Sequence, residues 1–248
     1  MDFKIVEKFI SYAIRTLLVL LVGLICLSGI AIEANKKPPE EIERILKEKR
    51  EIYEALRKGE PVNKNLPGLW PPKMNQKYPD IDLVNQAGEE FKLSDLKGRV
   101  LIVEYIDMSS PVSQAQSGGA ILGAYGATTY VDKVTTPVSQ VLKQSTEGEL
   151  SLPHPHILEV KVIIYGEDGG QASRDDAGNW ASHFNLNLKD GVIVSVPVKD
   201  MRDQLTKELI TGYQLVDKNL MMRADSTGVE PTHHLKLTFA PLVPRLVK

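Results

Sequence analysis

Three short runs decide most of what this chain can fold into: "RVLIVEYI" (99–106), "HILEVKVIIYG" (156–166) and "GVIVSVPV" (191–198). Each is apolar and β-branched nearly throughout, the signature of a strand covered on both faces. Helical patterns stand between them. "TPVSQVLKQ" (136–144) tolerates Pro137 in its first turn. "SRDDAGNWASHF" (173–184) opens with a capping-box pattern, Ser173 to Asp176. Strands interleaved with helices predict an α/β domain with a central sheet flanked by helices.

Shorter elements frame that core. "DIDLVNQAGEEFKLSDL" (80–96) reads as a strand, a turn at Ala87-Gly88, a short strand, and a turn opened by Ser94-Asp95. "YQLVDKNLMMRAD" (213–225) reads as a hairpin turning at Asp217-Lys218-Asn219. "HLKLTFAPLVPRLV" (234–247) predicts a last helix bent at Pro241 or Pro244.

The N-terminal third differs in kind. "TLLVLLVGLICLSGIAI" (16–32) is uncharged and apolar, and the run extends backwards past Arg15, which can snorkel. It fits a retained signal anchor over residues 1–34 better than a cleaved signal peptide, because no clean A-x-A site follows. Lys4, Lys8 and Arg15 favour a single-pass, N-in orientation. The bulk of the chain is then expected outside the cytoplasm, in a periplasmic setting. Residues 35–77 read as a stalk. A helix opens at Pro39, Glu40 and Glu41 and closes at Gly59 and Pro61. Its narrow apolar stripe includes Ile45 and Ile52 and suits either its own globular domain or a partner helix. The proline-rich "NKNLPGLWPPKMNQKYPD" (63–80) reads as an extended linker, with Leu69 and Trp70 as anchor points. The globular domain is placed at 78–248.

Composition excludes several chemistries. The formal net charge is -2 and no basic stripe stands out, so nucleic acid is not an expected partner. The chain has one cysteine, Cys26, inside the apolar run. Beyond that run there is no thiol nucleophile, intrachain disulfide or cysteine zinc site.

The order of these pieces resembles a thioredoxin-fold protein of the redoxin or TlpA-like kind. Three stretches carry the resemblance: residues 78–107 for the family's opening, 160–186 for its second core strand and Trp-bearing helix, and 213–228 for its late hairpin. The resemblance implies a thioredoxin-like mixed sheet and, often, an N-terminal membrane anchor. It also implies a C-x-x-C directly after the first core strand. Here "SSPVSQ" stands there, with Ser110 and Ser113 at the cysteine positions and Pro111 and Val112 between them. The family's cis-proline before the late hairpin is missing too, and Gly212 occupies that neighbourhood. A buried carboxylate that assists the dithiol in thioredoxins has its counterpart in Glu104.

Serine cannot replace the thiolate that attacks sulfur in disulfide exchange. Dithiol chemistry is excluded for this chain as written, and no catalytic residue is assigned. The residue-level expectation for Ser109, Ser110 and Ser113 is capping of the following helix. Glu104 is expected either at a surface or paired with a cation or hydroxyl, since burial without a partner is costly. His154, His156, His183, His233 and His234, with Met221 and Met222, leave a His/Met copper-handling reading as an alternative, although neighbouring strand residues face opposite ways. An oxidoreductase whose C-x-x-C is replaced by S-x-x-S is the other. No cofactor and no metal are expected. The leading expectation is a binding or assembly module with a protein partner at the membrane. Its contacts would use the stalk and a rim that includes Met108, Ser109, Gln114 and Tyr125, where small residues allow close approach.

Overall fold

The computed structural model describes residues 66–67, 70–228 and 230–248. The expected membrane segment, the stalk helix with Ile45 and Ile52, and Leu69 lie outside the described residues. Among the described residues no helix is long and apolar enough to cross a membrane.

In chain order the elements begin with β1 (Asp82–Asn85), β2 (Glu90–Lys92), β3 (Val100–Asp107), α1 (Pro111–Gln116), α2 (Gly119–Leu122) and α3 (Val138–Ser145). They continue with β4 (Ile157–Tyr165), α4 (Arg174–His183), β5 (Val192–Pro197), α5 (Gln204–Lys207), β6 (Gln214–Val216) and β7 (Met222–Asp225). The chain ends in successive helical turns over Leu235–Phe239 and Ala240–Leu242, and then α6 (Val243–Val247). Pro241 and Pro244 lie within this broken helix, as the sequence predicts, and Phe239 N–H reaches back five residues to the His234 carbonyl (3.1 Å).

The strands form one mixed sheet in the order β2-β1-β5-β4-β3-β6-β7. The three long apolar runs become β3, β4 and β5, which lie parallel at its centre. The hairpins add antiparallel strands at both edges. This central mixed sheet with helices fits a thioredoxin-like fold. The Ser173–Asp176 capping box forms at the start of α4, and the Asp217 side chain accepts from Asn219 N (2.8 Å) and Met221 N (3.0 Å) to close the late hairpin.

Side chains alternate along a strand, so the sheet has two faces with different coverings. One face carries Leu101, Val103 and Tyr105 of β3 with Val160, Val162 and Ile164 of β4. Its cover includes chain upstream of residue 78: Leu66 and Trp70 are buried there, and Tyr78 N–H donates to the Leu220 carbonyl (2.7 Å). Much of the segment read as a linker is thus a structural part of the domain. Trp70 sits edge-on to Tyr105 at 5.5 Å.

The other face carries two separate apolar clusters. Val100, Ile102 and Ile157 pack under α3, Phe239 and Val243. Ile106, Ile163 and Val194 pack under Trp180 and Phe184. Between them, at the same strand phase, β3 places Glu104 and β4 places Glu159 and Lys161.

Candidate functional site

The turn after β3 holds the serines. Ser109 is outside the helix and donates from Oγ to Asp107 Oδ1 (2.6 Å). Ser110 is the N-cap of α1, and its Oγ accepts from Ser113 N (3.4 Å), with Pro111 opening the helix. Val112 is half-buried behind it. Ser113 lies within the helix, fully buried, and its Oγ has no hydrogen-bond partner among the described residues. The capping expectation therefore holds for Ser110 and is corrected for the other two. Ser109 buttresses the end of β3, and Ser113 is sealed inside.

The small residues beyond this turn serve the chain itself. α1 stops at Ser117, and Gly118 turns the backbone at φ +108°. A Cβ on Gly119 would lie 2.8 Å from the Gln114 carbonyl oxygen, so close approach here is intramolecular. Met108 and Gln114, expected on a partner-facing rim, are both buried. Gln114 latches the following loop. Its amide donates to Met108 O (2.9 Å) and Thr128 Oγ1 (2.9 Å), and its oxygen accepts from Tyr125 N (2.9 Å). Tyr125 is half-buried against Trp180, with ring centroids 5.3 Å apart. The large apolar side chains that remain exposed on this rim are Ile121 and Leu122, with Ser109 exposed beside the turn.

Glu104 takes the second of its expected roles and pairs with a cation. It is fully buried, and the parallel register sets Lys161 directly opposite. The Lys161 ammonium donates to Glu104 Oε2 and lies 2.8 Å from Glu159 Oε1. With its amide oriented to suit both neighbours, Gln116 donates to Glu104 Oε1 (3.2 Å) and accepts from Gly212 N (3.2 Å). Burial raises the Glu104 pKa to about 7; Lys161 opposes the rise and Glu159 adds to it. Burial alone would lower the Lys161 pKa, but the two carboxylates outweigh it and keep the ammonium protonated. The Tyr213 phenol is pushed well up, by burial first and then by Glu104 and Glu159.

Three charges occupy positions where apolar side chains would each contribute roughly 2 kcal/mol by burial. A buried ion pair seldom improves on well-packed hydrophobes. Stability alone does not account for this cluster. Glu159 and Lys161 were not singled out by sequence reading. The available signal was two charges spaced by two in an apolar strand, on the face that Glu104 occupies in its own strand.

Gly212 stands where the resemblance places a cis-proline, and neither cis peptide bond among the described residues, Trp70-Pro71 or Leu152-Pro153, lies there. Its φ is +124°, and an added Cβ would meet Ser226 O at 2.2 Å.

The histidines are dispersed. His154 and His156 have ring centroids 5.8 Å apart, and His154 Nδ1 accepts from His156 N (3.2 Å). His233 Nδ1 accepts from Asp225 N, and His234 Nδ1 from Lys236 N, both at 3.3 Å. His183 lies edge-on to Tyr125 at 5.2 Å. Met222 is buried, whereas Met221 is half-exposed. Among the described residues no group of three or more His, Cys, Asp or Glu is placed to hold a metal ion.

No protein-family model and no curated protein matches the chain. Its structural neighbours are thioredoxin-fold proteins of redoxin, peroxiredoxin-like and Sco-family kinds. A SCO1/SenC family lipoprotein from Bacillus anthracis str. Ames is 13% identical, with a TM-score of 0.44 over 70% of this chain and 96% of that one. The thioredoxin domain of a thiol-disulfide oxidoreductase from Bacteroides vulgatus is 12% identical, with a TM-score of 0.41 over 71% and 99%. A peroxiredoxin-like protein from Aquifex aeolicus is 13% identical, with a TM-score of 0.42 over 72% and 90%.

Proposed function

We propose that this chain is a membrane-tethered, extracytoplasmic thioredoxin-like domain that holds a protein partner and does not exchange electrons with it. One observation carries the reading. The helix that follows the first core strand begins with serines, one occupied as a cap and one sealed from solvent. Disulfide exchange proceeds through a thiolate and a mixed disulfide, and a hydroxyl forms neither. The exposed surface beside this turn supports a holding role. Ile121 is 87% and Val134 89% exposed, with Leu122 and Tyr130 also open to solvent. Large apolar side chains this exposed, all within residues 121–134, favour a protein contact.

The full chain, reconstituted in nanodiscs, is expected to reduce insulin with dithiothreitol no faster than empty nanodiscs. It is expected to co-purify from native membranes with a stoichiometric partner that is lost in Ile121→Asp. An enzymatic rate of insulin reduction, or a chain that runs alone from native membranes, would sink the reading.

A second experiment tests the assigned register. The Ser110→Cys/Ser113→Cys double variant places two thiols at the cap and third helical position of α1. In a Cys26→Ser background, treatment with diamide followed by denaturation should leave neither thiol open to titration with a thiol reagent, with no shift to dimer on a non-reducing gel. Two thiols that remain titratable would show that these serines do not stand at the dithiol positions.

A further inference from the structure

The interrupted helix over the sheet leaves a cavity of about 410 Å³ above the middle of β4. Its origin is local. α1 breaks at Gly118, α2 lasts four residues, and regular helix resumes only with α3. The space between is walled by Ile121, Leu122, Leu152 and Leu186 and floored by Glu159 and Lys161. Its size lies in the range that encloses small organic ligands.

The floor sets the sign of the ligand. Glu159 and Lys161 are 5% and 1% exposed, so both are built into the core. The ammonium is already shared between two carboxylates, Glu104 behind it and Glu159 beside it. Glu159 uses Oε1 on Lys161, and its Oε2 takes no hydrogen bond among the described residues. Asp190 adds a further carboxylate at the cavity lining. An entering anion would meet Glu159 and Asp190 as like charges, with one ammonium already shared between two carboxylates. An entering cation would meet a carboxylate that Lys161 engages through Oε1 alone.

We propose that this cavity binds a small amphipathic amine, its protonated nitrogen donating to Glu159 and its hydrocarbon body lying between Ile121, Leu122, Leu152 and Leu186. The site shares Ile121 and Leu122 with the exposed rim invoked for a protein partner, but its buried charged floor is not part of that rim, and binding of the amine is read without that partner.

The test uses the full chain in nanodiscs, with empty nanodiscs as the reference, in isothermal titration calorimetry. The probes are cyclohexylmethylamine and two isosteres, cyclohexanecarboxylate and cyclohexylmethanol. The amine should bind saturably at one site per chain, about tenfold or more tighter than the alcohol, since a charge-assisted hydrogen bond is the added interaction. Glu159→Gln should remove that advantage. Leu122→Trp fills the cavity from a half-exposed wall position and spares the buried charges, so it serves where Glu159→Gln folds poorly. It should abolish binding of the amine. Three results would overturn the assignment: no saturable binding of the amine, a carboxylate that binds as tightly, or binding unchanged in Leu122→Trp.

Discussion

Lys161→Met is expected to destabilise the folded domain by about 3–5 kcal/mol at pH 8, and by far less at pH 5. The lysine is nearly inaccessible and bonded to two buried carboxylates. Its removal leaves two negative charges in the core without a counter-ion. The pH dependence follows from Glu104, whose pKa in the folded protein is about 7 against an ordinary 4.5. A carboxyl that holds its proton more tightly when folded favours folding at low pH. That contribution is greatest below the unfolded value, shrinks as pH rises from 4.5, and is gone above about 7. For the unsubstituted protein the change amounts to about 3 kcal/mol across that window. Lys161 remains charged throughout, because its own pKa is raised. Without the lysine, Glu104 loses the cation that opposes its raised pKa. At pH 5 it can stay protonated, whereas at pH 8 it must ionise or the domain must open. Urea midpoints at the two pH values measure this directly for the parent, Lys161→Met and Glu104→Gln. Glu104→Gln should flatten the parent's slope between pH 5 and 8. A Lys161→Met deficit equal at both pH values, or below about 1 kcal/mol at pH 8, would mean that the cluster is hydrated and weakly coupled.

The charged cluster also marks where sequence reading stops. β3, β4 and β5 were legible because an apolar, β-branched run between turn signals is a local statement. The Ser173–Asp176 box and the Asp217 turn were legible because each closes on itself within a few residues. Glu104 alone posed a question that its own strand could not answer. Its counter-ion lies 57 positions away, and only the parallel register that sets residue 104 against residue 161 identifies it. Trp70 is legible as an anchor point of a proline-rich segment, but the surface it anchors to is not, and only the fold shows it buried against Tyr105. The small residues of the rim read as room for another backbone, and Gly119 is where one comes close. The backbone that approaches is Gln114, five residues earlier in the same chain. At the candidate site, the absence of sulfur was plain from the sequence. The sealing of Ser113 and the cavity over β4 depend on where α1 breaks, and that is a matter of packing.

Gly212→Ala should cost about 3 kcal/mol or more, for two reasons. The backbone at residue 212 sits at φ +124°, where an L side chain is strained, roughly 1–3 kcal/mol. The added methyl would also lie 2.2 Å from Ser226 O and 2.7 Å from Thr227 Cα. Both are backbone atoms, so no side-chain rotation relieves the clash. The segment is held from the other side as well, since Tyr213 N–H donates to Ser226 Oγ (3.0 Å) and Ser226 N–H to Tyr213 O (2.8 Å). Gly88 has a similarly positive φ of +82° but nothing within 4 Å of the position a Cβ would take. Gly88→Ala therefore measures the backbone cost alone, expected near 1 kcal/mol. The excess in Gly212→Ala over Gly88→Ala reports the crowding together with the more extreme φ at 212, and equal losses would show that the 212–226 contact yields freely. Proline at 212 would fare no better. Its ring fixes φ near −65°, far from the +124° found here, and it would lose the N–H that Gln116 accepts on its way to Glu104. The residue that the resemblance expects here is thus excluded by this chain's own hairpin, and Gly212 couples that hairpin to the buried charges.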